Sequence, residues 1–365
     1  MSSTEQPQTT RGSGPTGGGG EPNTSVGSDA VHDTEETRTG LRQRVLNSNT
    51  LWVGIMLVAL VVGFSVLHGS SFLTLLNIQN LFIQLALLLL LGVGMNFVII
   101  TSGIDLSVGT VLIFSGVVGG KTMETFGGGD ATGDGWPVIL LGLVVTVVAG
   151  AAWGVVNGLL VAVAKVPPLI VTLGSFGAAL GAADLLTGGN DVRTVPSALR
   201  NVIGTGTSLG GVPNLVIIVA VITLVAGWLL HTTRFGRYTY AVGSSEEAAR
   251  RAGIPVTRQL VLVYLLTGVL AGVAGFLSLA YYGTSTINGH TTDNLNAISG
   301  VVIGGTSLFG GVGSMLGTVL GVFIPQVLQD GFVISGVQTF WQPIAVAIVL
   351  VAAVWLDQRS RRNRM

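Results

Sequence analysis

From Leu51 onward the chain alternates long apolar runs with short polar breaks. The runs cover approximately 51–67, 78–100, 104–120, 137–163, 168–187, 213–231, 258–282, 295–308, 312–329 and 336–356. Most have the roughly 17–25 apolar residues that a helix needs to cross a bilayer. Two of them, 104–120 and 295–308, are short and interrupted by glycine. The pattern predicts an all-α, polytopic integral membrane protein with about ten transmembrane helices.

The ends of the chain read differently. Residues 1–45 are rich in Ser, Thr, Gly, Pro and acidic side chains, with a run from Gly17 to Gly20. Too little apolar surface is available there to offset ordering entropy, so a disordered tail is expected. No apolar segment lies near Met1, which argues against a signal peptide. Residues 46–358 form the expected membrane domain, and 359–365 a short basic tail.

Charge gives an independent check on the number of spans. With ten spans and a cytoplasmic N-terminus, Arg11, Arg38, Arg42 and Arg44 fall inside. So do Lys165, Arg234, Arg237, Arg250, Arg251, Arg258, Arg359, Arg361, Arg362 and Arg364. That places 14 of the 17 basic residues on one side, as the positive-inside rule requires. Only Lys121, Arg193 and Arg200 fall outside. Dropping one short span would reverse every later loop. The expectation is therefore a multi-pass protein of the plasma (inner) membrane with both termini cytoplasmic.

Composition narrows the function classes. Hydrophobic residues make up 49% of the chain and charged ones 9%, against about 25% charged in soluble domains; mean hydropathy is +0.71. The 55 glycines suit close helix packing in lipid. With no cysteine, thiol catalysis and thiolate metal sites are excluded, and the four histidines, His32, His68, His231 and His290, have no ligand spacing. A net charge of zero gives no support to a nucleic-acid partner. Gly119-Gly120-Lys121-Thr122 lacks the earlier glycine of a phosphate loop, since Ser115 stands there. No paired carboxylates and no nucleophile with a base are visible, so neither an enzyme nor a cofactor site is expected.

One inner segment has its own architecture. Around 244–253, Ser244 and Glu247 have capping-box spacing, Gly253 stands where a left-handed cap belongs, and Pro255 blocks continuation. Glu246 and Glu247 open the stretch and Arg250 and Arg251 close it, matching a helix dipole. A short helix outside the membrane is predicted, presenting Ala248, Ala249 and Ala252. A partner-docking element and a solvated loop with ordinary interfacial arginines both fit this spacing.

The segment resembles the coupling helix of ABC-transporter permeases. More narrowly, the chain resembles the permeases of ribose-, xylose- and galactose-type monosaccharide importers. The similar stretches are Thr101–Gly109 (TSGIDLSVG), Lys165–Gly174 (KVPPLIVTLG), the 232–255 loop, Val302–Leu308 (VIGGTSL) with Gly310–Gly313, Thr339–Gln342, and Ala353–Asp357. They run in order along nearly all of 50–357. The chain departs from the family pattern at Leu180, Asn294, Asn296 and Val346. The resemblance implies two inverted-repeat-like halves, spans 2–5 and 7–10, with the short third and eighth spans in corresponding places. It also implies a homodimer, a cytoplasmic ABC ATPase subunit and an extracellular sugar-binding protein. The transported solute would be a monosaccharide, with a pentose such as xylose or ribose as the expected sugar. A secondary transporter or channel for a small polar solute is the alternative.

Ionisable groups inside a membrane are costly and mark pathways. Asp105, beside Ser102 where the second span breaks, and Asp184 are the two present. Asp105 could instead cap the third helix, and Asp184 could lie in water at the end of its span. The paired short spans point to a pathway between them, with Ser102 and Asp105 on one side and Asn294 and Asn296 on the other. Asn96, Asn157, Trp153, Phe176 and Trp341 are the further side chains that could meet a sugar, each equally able to serve packing or anchoring.

Overall fold

The computed structural model describes residues 49–127, 135–193, 195–285, 287 and 289–338, and beyond them 340, 341, 343, 344, 347, 348 and 351. The expected tails and most of the expected tenth span lie outside these residues.

Twelve α-helices follow one another among the described residues: α1 (Asn49–Phe72), α2 (Leu75–Ile100), α3 (Val108–Phe126), α4 (Trp136–Ala162), α5 (Pro168–Thr187), α6 (Ser197–Leu199), α7 (Asn214–Thr232), α8 (Arg234–Ser244), α9 (Glu246–Arg251), α10 (Val256–Tyr282), α11 (Asp293–Ile303) and α12 (Met315–Ile334). A single wide turn, Arg200–Gly204, follows α6, and a two-residue ribbon pairs β1 (Thr207–Ser208) with β2 (Val212–Pro213). Seven helices, α1, α2, α4, α5, α7, α10 and α12, are long and apolar enough to cross a membrane. The protein is an all-α, polytopic membrane protein.

Sequence alone does not separate α1 from α2, which are both apolar on every face. Packing does. The most apolar stretch of α2 is 94% buried and that of α1 only 11%. α2 is the central post, and a helix apolar all round belongs there. The outer helices turn Val66, Val148, Leu185 and Leu224 outward. Such a surface is stable only where lipid is the solvent.

Glycines set how closely the posts approach. On α4, Gly150, Gly154 and Gly158 recur every fourth residue and face Tyr264, Gly268 and Gly272 of α10. A Cβ at Gly150 or Gly154 would run into the α10 backbone. The same device joins α11 to α12, where Gly300 and Gly304 face Gly317 and Gly321. Helices that lose apolar contrast in lipid associate through such small-residue seams.

The two short elements are corrected by the structure. The third helix starts at Val108, four residues later than the apolar run suggests. The eighth, α11, has 11 residues, which is roughly 16 Å at the α-helical rise. That is about half of the hydrocarbon core, so α11 alone does not cross it; the segment continues as non-helical backbone to Gly311, whose N–H bonds to the Ile100 carbonyl at the end of α2. The helix itself stops at Gly304, and Gly305 follows with φ of +94°, where a side chain would be strained.

Candidate functional site

The first half of the site lies where α3 and α11 begin. Asp105 is 3% exposed, and its Oδ1 accepts from the backbone N–H of Ser107 at 2.8 Å and from the Ser107 hydroxyl at 2.6 Å. Ser107 Oγ in turn accepts from Asn157 Nδ2 at 2.9 Å, and Ser175 Oγ donates to Asn157 Oδ1. The protons of this chain all point towards the carboxylate, so Asp105 is the terminal acceptor of a network that ties α5 and α4 to the start of α3. A buried network of this kind holds only while every member is satisfied.

Asp105 does not cap α3, because its carboxylate closes a local turn on Ser107 two residues on, before the helix begins. Asn157 lies five residues before the end of α4, roughly 7 Å inside it. α3 therefore starts within the bundle.

α11 starts at the same point. Asn294 Nδ2 donates to the Leu106 carbonyl at 2.8 Å, and a Cβ on Gly109 would run into the carbonyl of His290. The N-termini of the two short helices thus meet inside the protein. Interrupted helices whose ends meet inside the bundle are a recurrent way to build a solute path in a transporter.

The remaining expected pathway residues divide. Asn96 is fully buried on α2 and accepts from Thr306 at 2.7 Å, while its Nδ2 has no partner among the described residues. Asn296 is buried on α11. Ser102 lies on the turn after α2, and its hydroxyl donates to the carbonyls of Gly243 and Phe309, at 3.2 and 3.0 Å, which ties that turn to α8 and to the 309–311 loop. Phe176, half-buried on α5, and Trp341, exposed beyond α12, take no part in the network. Asp184 is exposed at the end of α5. Trp153 makes an edge contact with Phe114 at 5.8 Å.

The second half of the site is the pair α8–α9. The expected loop is in fact two helices, since α8 (Arg234–Ser244) forms before the docking segment. Ser244 is therefore the last residue of α8, and its hydroxyl donates to the Tyr240 carbonyl. The cap of α9 is Ser245, extended at φ −166°, which accepts from the Ala248 N–H at 3.2 Å. Glu247 pairs with Arg251, and Glu246 with Arg250 at 2.7 Å. Gly253 ends the helix at φ +79°, with its N–H on the Arg250 carbonyl. Ala248 and Ala252 are exposed as expected, but Ala249 is buried against Ala162, Val242, Val256 and Leu260. It anchors the helix and is not part of its outer face.

A cavity of about 330 Å³ lies beside this helix pair, lined by Thr101–Gly103, Lys165–Pro168, Gly243, Glu246 and Tyr264 among others. Lys165 Nζ reaches Glu246 at 3.3 Å across its mouth. Three non-glycine residues have positive φ among the described residues, and two of them, Ser102 and Lys165, line this cavity. Strained backbone of this kind persists only where its surroundings enforce it. Tyr264, also in the lining, is fully buried, and its hydroxyl has no hydrogen-bond partner among the described residues.

Sequence reasoning missed Lys165, Ser175 and Tyr264 as site residues. Tyr264, the tyrosine in the interior of the 258–282 run, was a usable signal. The left-handed backbone of Lys165 had none.

Residues 77–354 match a family model described as the permease component of branched-chain amino acid transport systems. The chain belongs to this permease family. Its relatives include the ribose import permease protein RbsC of Escherichia coli (strain K12), 37% identical over 84% of this chain and 93% of the relative. The Bacillus subtilis (strain 168) protein of that name is 38% identical over 85% and 92%. The xylose transport system permease protein XylH of Escherichia coli (strain K12) is 31% identical over 87% and 94%. No solved structure matches the chain.

Proposed function

We propose that this chain is the membrane-spanning subunit of an ATP-driven monosaccharide importer, and that its solute is a pentose such as ribose or xylose. The supporting observation is that a permease bundle similar over nearly its whole length to ribose import permeases carries a capped, exposed helix, α9. ATP hydrolysis belongs to a separate cytoplasmic ATPase subunit that docks on Glu246, Glu247, Ala248, Arg250 and Gly253. An extracellular binding protein delivers the sugar, a second copy of the chain completes the path, and both termini are cytoplasmic.

In this mechanism the ATPase moves α9. Ala249 carries that motion into α8 and α10, and the Glu246–Lys165 pair carries it into the α4–α5 turn. Asn157 and Ser175, on α4 and α5, then shift against Asp105 at the junction of the short helices. The solute passes where α3 and α11 meet, beside Asp105, Asn157, Asn294 and Asn296.

Uptake of labelled ribose and xylose into proteoliposomes, with the ATPase and binding protein supplied, tests this. Glu247→Arg is expected to abolish ATP-dependent uptake without lowering the melting temperature, since the position is exposed. Gly253→Trp is expected to abolish uptake as well, with some loss of stability, because a side chain at φ +79° is strained although it meets open space. Undiminished uptake in both variants refutes the docking role. Uptake that ignores ATP but collapses with an ion gradient establishes a secondary transporter instead.

A further inference from the structure

A second cavity, of about 510 Å³, opens on the outer surface where α4 ends and α10 begins. Its walls are apolar: Leu159 and Val163 from α4, Val256, Val261 and Leu262 from α10, with Ile254 and Pro255 from the connector. Leu159 and Val163 are 46% and 61% exposed, so the groove faces out of the bundle. Its rim holds Arg250, Thr257 and Arg258. Arg250 is paired with Glu246, whereas Arg258 has no ion-pair or hydrogen-bond partner among the described residues. α10 also begins here with no side chain capping its first turn.

We infer that this groove binds one anionic phospholipid, its acyl chain along Leu159, Val163, Val261 and Leu262 and its phosphate at Thr257 and Arg258. Charge complementarity selects the occupant. Apolar walls alone would accept any lipid, but an unpaired guanidinium at a membrane surface favours a negative headgroup, by about 1 kcal/mol per basic residue. The uncapped start of α10 adds backbone N–H groups and a favourable dipole. The inference rests on the proposed orientation, which puts this rim at the cytoplasmic face. The headgroup would then sit between α9 and α10, directly beside the docking surface, with which the rim shares Arg250.

Native mass spectrometry of the full-length chain, with phosphatidylglycerol or phosphatidylcholine added, tests the site without any transport assay. Phosphatidylglycerol is expected to bind about fivefold more tightly, the equivalent of one basic side chain near an anionic surface. Arg258→Gln should remove that preference, Arg258→Lys should keep it, and Arg193→Gln should leave it unchanged. Equal binding of the two lipids, or a preference that survives Arg258→Gln, overturns the proposal. So does suppression of lipid binding by millimolar inorganic phosphate, which would make this a phosphate site. In membranes, Val163→Cys that cross-links to a second copy or to the ATPase shows that protein covers the groove and likewise overturns it. Sidedness is read separately by labelling Thr257→Cys from each face. Outward labelling would refute the orientation and leave the lipid measurement standing.

Discussion

The docking helix and the buried polar junction are both built from few residues, yet they are held in opposite ways. α9 has six residues, far too few to persist alone. Its two i,i+4 ion pairs are exposed and worth about 0.3–0.5 kcal/mol each. What holds it is the burial of Ala249 and the two caps. At the junction, Asp105, Ser107, Asn157 and Ser175 are all buried, so a lost partner leaves a buried polar group unsatisfied. One region can therefore be displaced as a unit at little cost, while the other resists rearrangement until it is pulled. A protein that converts motion at its surface into motion at its centre needs that asymmetry.

The largest effect should come from breaking the centre. Asn157→Leu removes the bridge between Ser175 and Ser107: the buried Ser175 hydroxyl loses its acceptor, while Ser107 keeps its bond to Asp105. At about 1–3 kcal/mol for the orphaned group, a loss of that size is expected, read as a lower unfolding midpoint in detergent. Uptake should fall with it. An unchanged midpoint would mean that the network contributes no structure, and the contrast with α9 would vanish.

The link between the regions comes next. Lys165→Gly removes the pair with Glu246 and also relaxes a left-handed backbone that costs a side-chain-bearing residue about 1–2 kcal/mol. Glycine's added chain entropy, about 0.5–1 kcal/mol, offsets part of that gain. Stability should therefore hold or rise slightly while ATP-dependent uptake drops, and a parallel fall in both would make Lys165 structural only. The pH dependence has a definite sign. Partial burial pushes the Glu246 carboxyl up, but hydrogen bonds from Arg250 and Lys165 outweigh it and hold it below the ordinary glutamate range. A depressed folded-state pKa gives stability that is present above the unfolded value, about 4.3, and lost as pH falls through the folded one. The α9 contacts should thus be constant from pH 5 to 8 and weaken only in more acidic solution, as hydrogen exchange on α9 would report.

How much was legible in the sequence also divides along these two regions. Apolar periodicity and length placed the long helices to within a few residues, because lipid imposes them: the run at 168–187 coincides with α5. The stop at Gly253 was legible because only a left-handed residue fits there. The junction was legible only in part. Asp105 and Asn157 stood out as polar residues in apolar runs, but their meeting depends on α4 packing beside α3, a long-range contact without local signal. Ser102 and Trp341 met the same polarity criterion and lie elsewhere. Spacing also misplaced the cap of α9, since amphipathic α8 extends through Ser244 and takes that hydroxyl for its own backbone.

That misplaced cap supports the smallest and sharpest measurement. Ser244 and Ser245 are neighbours with the same side chain, and capping-box spacing to Glu247 favours the first. The structure gives the second the extended backbone and the bond to Ala248. Ser245→Ala should therefore cost about 1 kcal/mol of helix stability, confined to α9 and seen as faster amide exchange at Ala248 and Ala249. Ser244→Ala loses only a hydroxyl bond back to Tyr240 within α8, and exchange in α9 should not change. The reverse result would move the start of α9 back by one residue and restore the reciprocal box with Glu247. Because neither substitution reaches the Asp105 network, any change there would show that the two regions are coupled more tightly at rest than their contacts imply.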